Sequence, residues 1–104
     1  METHGWYAWV NRTLSGSASF HLHGLVSAPT PGYAAELRAV ETQDSDPDEL
    51  VFELRLRELP GSWPDVEMPI VVRHDRHPYK GHCAGVLVRV ADADTVWIPV
   101  AQVR

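Results

Sequence analysis

His21 and His23, two residues apart, are the first side chains whose type and spacing suit chemistry. On a strand, residues i and i+2 project from one face, so the two imidazoles stand side by side. A third ligand from a neighbouring strand would complete a site for zinc or copper. Residues 73–83, Arg-His-Asp-Arg-His-Pro-Tyr-Lys-Gly-His-Cys, offer His74, His77 and His82, with Cys83 also chemically suited. Against this, Arg73, Arg76 and Lys80 put positive charge among those ligands, and no Cys-x-x-Cys or His-Glu-x-x-His spacing is present. A metal site of His21, His23 and one of His74, His77 or His82 is therefore the alternative, and a chain without cofactor the first expectation.

Other chemistry is weaker still. Asp44, Asp46 and Asp48 fall on the first acidic positions of a calcium loop, but Glu49 stands where that loop needs glycine and Arg55 where it needs its bidentate glutamate. These residues read as a solvated acidic loop. For a nucleophile, Cys83 beside His82 fails because adjacent strand residues face opposite ways, which leaves only a loop serine with a distant histidine. No Gly-x-Ser-x-Gly elbow and no glycine-rich phosphate cradle occurs. The chain thus reads as a non-enzyme, with Cys83 a small apolar residue.

The elements that must position these residues are strands. Leu50, Phe52, Leu54 and Leu56 alternate with Glu53, Arg55 and Arg57, a period of two that marks a half-buried strand. Tyr33, Ala35, Leu37 and Ala39 alternate in the same way, as do Phe20, Leu22 and Val26 against His21 and His23. Trp6 to Val10, Met68 to Arg73, Ala84 to Val90 and Thr95 to Val100 supply further apolar runs, and Pro99 inside the last suggests an edge strand. About seven short strands separated by turn residues fit an all-β fold. An immunoglobulin-like antiparallel β-sandwich is the first form expected, and a small β-barrel the alternative. Pro29-Thr30-Pro31-Gly32-Tyr33 forms a reversal in which Pro31 presets φ and Gly32 is expected at positive φ, a type II turn. Gly61-Ser62-Trp63-Pro64 is a second loop, whose Trp63 is expected to fold back as a lid in preference to meeting a partner.

Composition narrows the partners. The 104 residues suffice for one domain, residues 1–104, with 44% hydrophobic and 22% charged side chains of ordinary globular kind. Fourteen acidic residues against nine basic give a net charge of −5, which opposes binding to nucleic acid. Eight of the nine basic residues are arginine, with Lys80 the exception, which suggests a GC-rich bacterial coding bias. One cysteine excludes an intrachain disulfide, so the core must hold the fold, as a reducing compartment permits. No secretory leader pattern occurs in residues 1–20 and no run is long enough to insert in a membrane, so a cytoplasmic chain is expected.

Thr30, Gly32, Tyr33 and Pro69 carry a family resemblance over half the chain. The order of a strand, Gly24 to Tyr33, two strands, a proline-glycine loop and Met68-Pro69-Ile70-Val71-Val72 resembles the PrcB carboxy-terminal type of small β domain, which has a Thr-Gly-Gly-Tyr turn at the comparable point. Pro31 replaces the first of those paired glycines. The same loop is similar to the Asn-Pro-Thr-Thr-Gly-Tyr loop of chagasin-like immunoglobulin-fold protease inhibitors, although the asparagine and the companion Arg-Pro-Trp loop are absent. Both resemblances imply a domain that binds protein. The expected contact residues are Pro29, Thr30, Pro31, Gly32, Tyr33 and Trp63, with an unknown protein partner. Self-association of strand edges in a homodimer is a further alternative.

Overall fold

The computed structural model describes residues 2–12, 16–40, 49–79, 84–90 and 95–103. Seven strands follow in order: β1 (Thr3–Arg12), β2 (Ala18–Ala28), β3 (Tyr33–Val40), β4 (Glu49–Glu58), β5 (Met68–Arg76), β6 (Gly85–Val90) and β7 (Val96–Val103). They form one sheet in the order β3-β4-β6-β7-β1-β2-β5, which curls until its edge strands β3 and β5 approach each other. The fold is all-β with seven strands. Its single, nearly closed, barrel-like sheet is consistent with the small-barrel form and with a β-sandwich.

Alternation builds the core. In β2 every second residue, Ala18, Phe20, Leu22, Gly24, Val26 and Ala28, is buried, while Ser19, His21, His23 and Leu25 lie on the other face. Phe20 and Phe52 stack near the centre with ring centroids 6.2 Å apart, among Val10, Leu22, Leu54, Val86, Val88 and Ile98. Each of these large side chains contributes roughly 1.5–3 kcal/mol by leaving water. The core draws on β1, β2, β4, β5, β6 and β7, and β3 adds Ala35 and Leu37 at its margin.

The pairing departs from the expected antiparallel arrangement in two places. Strands joined directly, β1–β2, β3–β4 and β6–β7, pair antiparallel, as does β2–β5, but β1–β7 and β4–β6 are parallel. Parallel neighbours need a long connection, and both of these pairs are separated in sequence by at least one other strand.

Pro99 also corrects the expected edge assignment: β7 lies inside the sheet, between β6 and β1. Gly85 opposes Pro99 on the β6 side, whereas pairing with β1 begins only at Val100, opposite Ala8. The Val100 amide donates to the Ala84 carbonyl beside β6, at 3.2 Å. Successive amides point to opposite edges of a strand, so the missing donor of Pro99 faces the β1 side, just short of where that ladder begins. The edge proline of the sheet is Pro69, on β5.

Candidate functional site

The loops expected to meet a partner come together at one end of the sheet. Residues 29–32 bend between β2 and β3, and residues 59–67 lead from β4 to β5. The Leu59 amide donates to the Gly32 carbonyl at 2.8 Å, and the Gly32 amide donates to Thr30 Oγ1 at 3.1 Å. Gly61, at φ 121°, holds a backbone conformation that favours glycine and turns the chain back on itself. Trp63 consequently lies over Gly32 and donates from Nε1 to the Leu59 carbonyl at 3.4 Å.

Gly32 itself lacks the positive φ expected of a type II turn. Its glycine is required by space instead, because a Cβ on Gly32 would stand 2.2 Å from Trp63 Cδ1. Trp63 is folded back as a lid, yet 44% of it remains exposed. Thr30, Gly32, Tyr33, Glu58, Leu59, Gly61 and Trp63 line a shallow depression at this end. Within it the Tyr33 hydroxyl donates to Glu58 Oε1 at 3.2 Å. Desolvation first, then the adjacent Glu58 carboxylate, raises the Tyr33 phenol above its ordinary range, so at neutral pH it is a protonated donor.

His21 and His23 share the outer face of β2, as their spacing predicts. Trp9, cross-strand from His21, stacks on its ring with centroids 4.8 Å apart and meets His23 edge-on at 4.9 Å. His74 does not join them. It opposes Leu22 in register, on the core face, and its ring meets Phe52 edge-on at 4.9 Å. Burial, and then the positive charge of Arg76, lowers the pKa of His74 below the ordinary 6.5. The proposed set of His21, His23 and His74 is therefore divided between two faces. His77 follows the end of β5 in an exposed position, and His82 and Cys83 lie outside the described residues, as do Lys80, Asp44, Asp46 and Asp48. Among the described residues no three histidine, cysteine or acidic side chains converge as a metal-ligand set.

The outer face holds a constellation that motif reasoning missed. Asp75 opposes His21 in register, and its Oδ1 lies 2.6 Å from His21 Nδ1. Ser19 Oγ lies 2.8 Å from His21 Nε2. Arg73 Nε donates to the second carboxylate oxygen of Asp75 at 2.9 Å. Hydrogen bonds from His21 and then Arg73 hold the Asp75 carboxyl below its ordinary pKa, so it is an ionised acceptor. An acceptor-only carboxylate fixes the imidazole tautomer: Nδ1 carries the proton that Asp75 accepts, and in the neutral ring Nε2 accepts from the Ser19 hydroxyl. The sequence held one visible trace of this arrangement, the Ser-x-His spacing on a strand, but the partner 54 residues away is set by sheet register alone.

Comparison with known proteins adds no further assignment: no family model, no curated protein and no solved structure matches the chain.

Proposed function

We propose that the chain is a protein-binding or accessory module that engages its partner through the end formed by residues 29–33 and 61–64. Trp63 seated on Gly32 carries this reading, because it joins two loops distant in sequence into one surface while leaving much of the indole exposed. A large aromatic held in place before binding loses little entropy when a partner covers it.

The neighbouring chain gives the partner a chemistry. Val66 and Met68 are exposed apolar residues, and Asp65 and Glu67 are exposed between and beside them. Glu58, Asp65 and Glu67 form no ion pair among the described residues. A protein segment presenting an apolar side chain next to lysine or arginine complements this end in both shape and charge.

The test is quantitative capture of a native partner by the intact chain and by Trp63→Ala, with far-UV circular dichroism to confirm folding. Loss of the anchor should weaken binding by about 2 kcal/mol or more, near 30-fold. Replacing Asp65 and Glu67 by their amides should weaken it less and flatten its dependence on salt. A folded Trp63→Ala chain that retains the partner at full affinity would overturn the assignment.

A further inference from the structure

We propose that Ser19, His21 and Asp75 form a nucleophilic relay, an open acyl-transfer site on the outer face of β2 and β5. The proposal goes beyond the binding end and is independent of it. Ser19 lies at the start of β2, roughly 30 Å along the strand from the turn that follows its other end.

The geometry meets the requirements of a base-activated serine at each bond. The hydroxyl is 2.8 Å from the imidazole nitrogen that must take its proton. The opposite nitrogen is held at 2.6 Å by a carboxylate that fixes the tautomer and stabilises the imidazolium once it forms. The carboxylate is held in turn by Arg73, and the imidazole plane by the stacked ring of Trp9. Such anchoring on strands keeps the relay in one arrangement, since each member sits in a hydrogen-bonded ladder.

Asn11 completes the set. It opposes Ser19 in the β1–β2 register, shares its face and is exposed. Directly opposed residues have Cβ atoms about 5 Å apart, which brings the Asn11 amide within reach of a carbonyl oxygen bonded to Ser19. A side-chain amide in that position donates to the developing oxyanion.

The substrate class is an activated acyl ester, because among the described residues the outer face encloses no leaving group and excludes no water. Ser19 Oγ attacks the carbonyl carbon while its proton passes to His21 Nε2. The tetrahedral adduct collapses, breaking the bond to the leaving alkoxide or phenolate, which departs with that proton. Water, deprotonated by the same nitrogen, then attacks the acyl-serine, and Ser19 Oγ leaves with the proton. The sum is ester plus water giving acid plus alcohol.

A fluorophosphonate reagent tests the first step directly, since the Oγ–P bond forms as the P–F bond breaks with net loss of hydrogen fluoride. Intact-mass and peptide analysis of the folded chain should show one adduct, on Ser19, absent from Ser19→Ala and from chain held in urea. His21→Gln should label about 100-fold more slowly. Asp75→Asn should lose about 10-fold or more at every pH, because the amide selects the wrong tautomer, whereas Asp75→Glu should recover part of the rate. Circular dichroism establishes that each variant is folded. No adduct on the native chain would overturn the proposal, as would an adduct on Ser19 whose rate ignores His21→Gln or Asp75→Asn in folded chains.

Discussion

Two histidines occupy opposite faces of one sheet and meet different surroundings. His21, on the outer face, has Asp75 at 2.6 Å and the Trp9 ring stacked on it. His74, on the core face, is disfavoured as a cation. Its ring sits against Phe20 and Phe52, its Nε2 is buried without a hydrogen-bond partner among the described residues, and Arg76 nearby repels a proton more strongly than Asp75 attracts one. The sign follows from linkage: a histidine whose native pKa is lowered contributes stability that is complete above the unfolded value of 6.5. As the pH falls below that value the unfolded chain takes the proton first, and the contribution declines until the native imidazole also titrates. His74→Leu should therefore make the urea midpoint less sensitive to pH in the window below 6.5. Urea titrations across that range check it, and an unchanged slope in the variant would contradict the role given to burial. At this scale the sequence showed which histidines share a face, because alternation alone decides that. It did not show that Asp75 and Ser19 hold one of them, because those contacts depend on cross-strand register.

Three strands, β2, β3 and β4, were legible where apolar and polar residues alternate, and the other four fall on the apolar runs. What periodicity does not carry is the pairing of glycine with tryptophan. Trp6 lies on Gly24, Trp63 on Gly32 and Trp97 on Gly85, and a Cβ at any of the three glycines would approach the indole to 2.5 Å or less. A bulge between His4 and Tyr7, with Gly5 at φ 68°, re-aims Trp6 toward the core, where its Nε1 donates to Thr3 Oγ1 at 2.9 Å. Each flat ring covers backbone that a glycine leaves bare, which stabilises strand positions where glycine alone is poor. The three sites differ in what surrounds them, and their substitutions should differ accordingly. At Gly24 both partners are confined by the sheet, so Gly24→Ala should cost about 1–3 kcal/mol through overpacking. At Gly32 the displaced ring belongs to a loop and has solvent on one side, so Gly32→Ala should cost less stability while moving Trp63. Denaturant midpoints at constant m-value measure the first effect, and a red shift in tryptophan emission reports the second. Equal losses of stability at the two sites would show that the loop tryptophan is as confined as the one in the core.

The whole molecule is a sheet whose two edges approach without joining, and its edges are unequal. β5 places Val72 in the core, whereas every residue of β3 is either half-buried or exposed. β3 is also held on one side only, by the β4 ladder, and the exposed Arg57–Glu36 pair across it, at 2.8 Å, contributes little in water. None of this was legible locally. The alternation of Tyr33 to Ala39 equals that of a central strand, and only the sheet order reveals that β3 ends it. Opening free energies within a fold follow burial and the number of ladders that must break. β2, paired with both β1 and β5 and buried at every second residue, should open only with global unfolding. β3 should open by itself at lower cost, with its amides exchanging ahead of those in β2, β6 and β7 under conditions where the core stays closed. Native-state hydrogen exchange at low denaturant resolves the two classes, and destabilising the core through Phe52→Ala, by about 3–5 kcal/mol, should bring them together as global unfolding overtakes local opening. Protection of β3 equal to that of β2 in the unaltered chain would mean that the seam with β5 is closed by interactions stronger than the packing between the two edges supplies.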